Sequence, residues 1–467
     1  MRARPGARVA ACSALAFLLI STGGAAASAT PGAFETVRFV QQVSQDGVTG
    51  SPDAEPDTET EPDISVDPND PNVVVAVVQQ GRFADGGSVD PGFATSHDGG
   101  DTWVEGNLPG LTTAVGGPYQ RASDPAVAFG PDGSVYATTL PFDASTCRTA
   151  VSVQRSDDGG LTWGAPVFPQ ADDECAVFND KNWIAVDTYP ASPHAGRIYL
   201  AWDQFRGGAA PHTEPIVLRY SDDHGETWSD LVDASPTGSK AIGVIPLVEP
   251  NGDVVIVYDE FSSGDDVLVS QVSHDGGLTF DPPVKVSALR DALELRVRTG
   301  GLPTAAVDPV TGRLFVAWQD HRFRTDGHND IVIARSSSEG THWSHVRRVS
   351  PATPGTGFFT PDVAAYGGVV HATYRSRDDS GETPSQFVDQ RYIVSTDGGK
   401  TFLGERVIGP RTNLAYAAIS GKTQAFLGDY AGVAASADAA HLVWCVARRS
   451  SGGAHYHQTT WSATILR

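Results

Sequence analysis

The chain has 467 residues, with 56 acidic side chains against 33 basic ones and a formal net charge of −23. So acidic a surface repels polyanions, and nucleic acid is disfavoured as a partner, although a local cluster of arginines could still grip a single carboxylate.

In chain order, residues 1 to 29 come first. They carry Arg2, Arg4 and Arg8, an apolar run from Val9 to Ile20, and small residues ending Ala27-Ser28-Ala29. This pattern predicts an exported protein whose leader is cleaved, with no retained span, because the apolar run is too short for a bilayer. The leader holds three arginines and no acid, so its loss takes the charge from −23 to −26. The rest, 30 to 467, reads as one secreted, extracellular domain without an integral membrane segment, expected to be a monomer.

The segment Glu35 to Ser44 (ETVRFVQQVS) reads as a strand. Asp53 to Asp70 (DAEPDTETEPDISVDPND) is acidic and proline-bearing and reads as a solvated loop. Its carboxylates and carbonyls could also hold a structural Ca²⁺, although it has no EF-hand pattern; no other cofactor is expected.

Two interleaved repeats then fill the chain. One opens with a polar residue, passes a turn rich in Asp, Pro and Gly, and enters a β-branched and aromatic run. Its copies are Asp63 to Val78, Asp124 to Thr139, Lys181 to Trp202, Val244 to Tyr258, Thr304 to Trp318, Asp362 to Tyr374 and Asp429 to Val446. The other is Ser-x-Asp-x-Gly-x-Thr-Trp: SHDGGDTW from Ser96, SDDGGLTW from Ser156, SDDHGETW from Ser221, SHDGGLTF from Ser273, SSSEGTHW from Ser336 and STDGGKTF from Ser395. The intervals of 60, 65, 52, 63 and 59 residues are those of a repeat architecture whose modules bury their faces against one another. In each copy the carboxylate of Asp98, Asp158, Asp223, Asp275 or Asp397 can accept backbone amides of its own turn, and Gly supplies the positive φ. These aspartates are therefore structural. The fifth copy has Ser338 for Asp and His342 for Thr, and should be the loosest hairpin.

Six copies in register resemble the Asp-box, or BNR repeat, of the sialidase-like β-propellers. The resemblance implies an all-β ring of four-stranded blades with almost no helix. Seven first-strand units against six Asp-boxes favour seven blades over the six of typical sialidases. The strand near Val37 to Val43 then completes a last blade beside His455 to Ile465 and removes two open sheet edges. Cys147 and Cys175 fall on one rim of such a ring and are expected to be bonded, with Cys445 a free core thiol.

The resemblance also places any site on the face opposite the Asp-boxes, where first strands start and second strands end. Acids and arginines crowd those positions, and charges converging on a channel favour a polar ligand pocket. By residue type, Asp63, Asp124, Glu260, Asp320, His321 and Tyr430 are the candidates for proton transfer or nucleophilic attack on a sugar. Arg121, Lys181, Arg298 and Arg375 are the candidates for holding a substrate carboxylate. Arg298 and Arg375 would grip it together, with Tyr430 beside them.

The implied function is a sialidase-like exo-glycosidase acting on an acidic or other terminal glycan residue. A polysaccharide lyase on the same fold and a non-catalytic glycan- or protein-binding propeller remain open. The arginine motif that sialidases carry near the mature N-terminus is absent: neither Arg38 nor Arg82 matches it. No His-Glu-x-x-His, Cys-x-x-Cys, Gly-x-Ser-x-Gly, Walker or Rossmann motif occurs. His455 and His457 share one side of a strand, for packing or for a metal.

Overall fold

The computed structural model describes residues 36–44, 48, 53–207, 212–294, 296–337, 339–381, 383–452 and 455–467. The leader and Ser338 of the fifth Asp-box lie outside these residues. Among the described residues there is no α-helix; two single 3-10 turns, Thr113–Val115 and Leu414–Tyr416, are the only helical elements. The chain is an all-β propeller.

Its working unit is a four-stranded antiparallel meander. The unit spanning 177–233 shows the pattern: Val177–Val186 pairs with Ile198–Arg206, that strand with Ile216–Ser221, and that with Val232–Asp233. Units 241–288, 304–348 and 356–413 repeat it as separate four-stranded sheets. Seven separate blades are not what the pairing yields. Strands 54–107, 121–172 and 432–466 run together into one twelve-stranded sheet, so that five sheets have four or more strands. The fusion rests on single pairs, Ser88 with Ala122 and Thr58 with Gln458.

The N-terminal strand Thr36–Gln42 lies antiparallel to Gln458–Leu466, with Thr36 opposite Leu466 and Gln42 opposite Trp461. It covers an edge that a three-stranded unit would leave open.

Each interface between neighbouring units is packed by β-branched and aromatic side chains from both, with the Asp-box aromatic sealing the outer end. Trp228 packs with Val153, Ile198 and Trp202, and Trp343 with Val255, Leu314 and Trp318. In the box itself, Thr162 donates both its amide (2.8 Å) and its hydroxyl (2.6 Å) to Asp158, and Ser156 Oγ takes the Gly160 amide at 2.9 Å. Partial burial works to raise these carboxyls. The Thr and Ser bonds outweigh it, holding Asp98, Asp158 and Asp275 below the ordinary range.

The inner strands carry the feature that positions the site. At Thr60/Asp63, Ser123/Ala126, Asp180/Trp183, Ile242/Ile245 and Phe359/Asp362 the register slips. A left-handed residue sits inside each slip: Glu61, Asp124, Lys181, Gly243 and Thr360, with φ of 54°, 48°, 44°, 73° and 47°. Such bulges re-aim side chains, and four of the five residues are not glycine, an arrangement that costs conformational energy. The acidic stretch expected as a solvated loop is in fact the strand Ala54–Val66, with Glu59, Glu61 and Asp63 all buried. Its alternating acids face the channel and its neighbouring unit.

Candidate functional site

Three of these bulges meet at one cavity. Glu61, Asp124 and Lys181, with Asp180 beside them, line a space of about 260 Å³ at the mouth of the ring, together with Arg82, Arg298, Asp429 and a wall of Phe142, Phe178 and Leu302.

Glu61 sits at its centre. It is 3% exposed, accepts the Gln79 side-chain amide, and is approached by the Asp429 amide at 3.5 Å. The close approach needs glycine at 428, since a Cβ there would stand 2.5 Å from the Glu61 nitrogen. Burial, then the neighbouring charges of Asp124 and Asp429, push the Glu61 carboxyl up to about 8, against the opposing pull of Arg82 and Arg298. Asp180 is raised too, first by burial and then by Asp124. Directly across the strand pair lies Asp203, fully buried and raised well above the ordinary range by burial and by Asp180 and Glu214.

The cations are arranged around this acidic group. Arg298 forms a two-pronged pair with Asp429, Nη2 to Oδ2 at 2.5 Å and Nε to Oδ1 at 3.2 Å, over the Phe426 ring. Arg82 also lies over that ring, with its guanidinium carbon 4.4 Å from the centroid. Lys181 is 4% exposed; its ammonium lies 4.1 Å from the Trp183 ring and 4.2 Å from that of Tyr430, with no hydrogen-bond acceptor. A buried ammonium in that position is an unmet donor.

The candidates from the sequence divide accordingly. Asp124, Lys181 and Arg298 line the cavity. Arg121 stands at its edge, bonded to Asp85 Oδ1 at 2.7 Å and Gly86 O at 2.9 Å, and stacked on Phe83. Asp63 is buried and accepts the Val127 amide of the next unit at 2.8 Å, as Asp362 accepts that of Val433 at 2.6 Å, so both act as ties between units.

Tyr430 is not in the cavity lining: it is 7% exposed, with its ring against the Lys181 ammonium and its hydroxyl donating to Pro125 O at 3.1 Å, and burial and the nearby acids push that hydroxyl's pKa well up. Its hydroxyl is tied to the backbone, not presented as a nucleophile. Arg375 does not join Arg298: it is 2% exposed and donates to Gly428 O at 2.9 Å and Leu427 O at 2.6 Å, buttressing the turn that carries Asp429.

Glu260, Asp320 and His321 are not in the cavity lining. Glu260 takes the Ser262 amide at 2.9 Å, and Asp320 is fully buried against Arg322 and the Trp318 indole. His321 occupies the turn that follows, its amide bonded to Arg290 O.

Glu61, Asp180, Asp203 and Asp429 belong to the charged strand ends that the sequence places on this face, though outside the residues singled out there, and Arg82 is the one that residue type passed over. The signal for Glu61 was its place before Pro62, which repeats at Asp124-Pro125 and Thr360-Pro361 and marks the bulge. Arg82 had no such mark.

One metal-type grouping exists among the described residues: Glu294, His328 and Asp379, whose ligand atoms lie within 4.8 Å of one another. Arg377 stands between the two carboxylates, 2.5 Å from Asp379 and 3.5 Å from Glu294, in the place a cation would take. His457 bonds Asp57 at 2.8 Å rather than pairing with His455.

A BNR/Asp-box repeat model matches residues 219–230, which include the third box. The chain is an Asp-box β-propeller. No curated protein sequence matches it. Among solved structures it resembles the Hadza microbial sialidase Hz136 (15% identity, 83% of this chain and 75% of that one, TM-score 0.47). It also resembles a Fusarium graminearum α-L-arabinofuranosidase (11%, 92% and 98%, 0.49) and an ulvan lyase (14%, 90% and 95%, 0.48). At such identities the likeness concerns fold.

Proposed function

We propose that this Asp-box propeller is a secreted glycoside-cleaving enzyme that takes one sugar unit of an acidic glycan into the central cavity. The observation that carries the reading is a buried carboxyl, Glu61, sharing one small cavity with Asp124, Asp180 and three cationic side chains, where burial and the neighbouring acids push it up to about 8. At about 260 Å³ the space is at the small end of ligand cavities and suits a ring rather than a chain. Glu61 donates its proton to the glycosidic oxygen as the bond to the anomeric carbon breaks. Asp124 or Asp180 assists attack at that carbon, and water supplies the hydroxyl that completes the new hemiacetal. Lys181, Arg82 and Arg298 favour a substrate carboxylate, and exchange of Asp429 for that carboxylate would keep Arg298 paired.

We also propose that the ring counts seven blades. The reading takes strands 54–107, 121–172 and 432–466 with 36–42, which pair as one twelve-stranded sheet, as three four-stranded meanders beside the four separate sheets. The leader-like pattern of residues 1–29 and the Cys147–Cys175 bond support export.

The test is a screen of purified protein on sialosides, arabinosides, glucuronides and uronate polymers, read by reducing ends and by ultraviolet absorbance. Release of a reducing sugar that E61Q fails to release supports hydrolysis. Absorbing unsaturated products would convert the reading to a lyase, and no turnover with retained glycan binding would convert it to a binding propeller.

A further inference from the structure

The acidic central cavity has a basic neighbour. A second cavity, of about 360 Å³, is lined by Arg296, Arg377, Lys422, His455 and Tyr456 with apolar and small polar residues; no Asp or Glu among the described residues lines it, and Glu55 borders it by accepting the Ile419 amide. In a chain with 56 acids and 33 bases, such a lining is a marked local inversion of charge. Arg377 is already paired with Asp379 and Glu294. Arg296 and Lys422 have no carboxylate partner among the described residues, unlike Arg298, Arg121 and Arg324.

The two cavities flank one short strand. Gln424–Phe426 presents Ala425 to the basic cavity, while the Phe426 ring supports Arg82 and Arg298 of the central one. This strand pairs with Val297–Arg298, so residues 296 and 298 stand two apart at the boundary, one lining each space. Arg296 is held there by its backbone: its carbonyl takes the Ala425 amide at 2.9 Å, and its φ of 65° is left-handed, a conformation that non-glycine residues rarely adopt without a local reason.

We infer that the cavity lined by Arg296, Lys422, His455 and Tyr456 is an anion subsite. It binds a charged group of a glycan chain whose neighbouring unit occupies the central cavity. The inference rests on the glycan reading of the central cavity and extends it to the substrate class: a polyanionic chain with charge on more than one unit. Arg296 and Lys422 supply the ionic contacts, and Tyr456 offers a ring against which a sugar face can lie.

Isothermal titration with tetragalacturonate, the uncharged tetrasaccharide maltotetraose, and inorganic sulfate tests this on the full protein and on the R296Q/K422Q double variant. Both changes fall on exposed side chains, so the fold should persist; an unchanged melting temperature checks that. The parent should bind tetragalacturonate more weakly as salt rises, and the double variant should bind it at least tenfold more weakly still, with maltotetraose indifferent to the change. Equal tetragalacturonate binding by parent and variant, or no binding of either anion by the parent, overturns the subsite. Because the readout needs no turnover, anion binding that depends on Arg296 and Lys422 in a protein that cleaves nothing would refute the enzyme and leave the subsite standing.

Discussion

At the scale of single residues, the molecule uses carboxylates in two opposite ways, and substitution should separate them. Glu61 is useful because it keeps its proton. If it is the acid, E61Q should lower turnover by about 10²- to 10⁴-fold with little effect on folding. Turnover in the parent should fade as pH rises through about 8, where Glu61 ionises. A pH–rate profile that is flat through that range would remove Glu61 from the role. Asp158 is useful because it has lost its proton and collects Thr162 and Ser156. Asp158→Ala should cost about 1–2 kcal/mol in chemical denaturation, as loss of a capping carboxylate does, without changing the activity of the folded fraction. Arg375 belongs with the structural group. Its residue type pointed to substrate, but its donors are turned onto the carbonyls of residues 427 and 428. Nothing in the local sequence reveals which way an arginine on an inner strand turns, because that is settled by strands far away in the chain.

At the scale of elements, the hairpins were legible because their chemistry is local: the Ser, Asp, Gly and Thr that build each box are within seven residues of one another. The bulges were not, since a register slip is a relation between two strands, and the acids of Ala54–Val66 read as solvated until the pairing strand covers them. The Cys147–Cys175 bond was expected from placing both cysteines on one rim of the ring, and it is present, with Cys445 buried and free. It ties the turn after Phe142 to the approach to Phe178, two walls of the central cavity. Closing a loop of 28 residues should add about 3–4 kcal/mol through the unfolded state. Thiol titration of the denatured, unreduced protein lacking its leader should therefore find one reactive group, and replacing both cysteines with serine should lower the melting temperature. Three titrating groups would contradict the bond.

At the scale of the whole molecule, buried acids dominate the response to pH. Burial raises Asp63 to about 7, Asp362 to about 6, and Asp90 and Glu249 to about 8. Each binds a proton in the folded state that the unfolded chain has already released. Their stabilisation is thus fully present below about pH 4 and is lost as pH rises through 6 to 8. The opposite sense holds for His371 and His441, lowered by burial to about 3 and 4, whose contribution disappears as pH falls below the ordinary histidine range. The Asp-box carboxylates likewise lose theirs below about 4. The acids outnumber the histidines, so the melting temperature should be higher at pH 5 than at pH 8 and should drop again below pH 4. A melting temperature that climbs steadily from 5 to 8 would mean that these carboxyls are ionised in the native ring.

The pairing of Thr36 with Leu466 has a consequence for the order of events in making the protein. In synthesis from the N-terminus this strand emerges before every other described strand and its partner after them, so the other sheets can form while this one waits. Until Gln458–Leu466 emerges, the ring stays open, and the edges that the closing pair would cover are free to find strands of other chains. Completion is therefore a single late event joining the first and the last of the described strands, so reopening the ring means parting segments more than 400 residues apart in the chain.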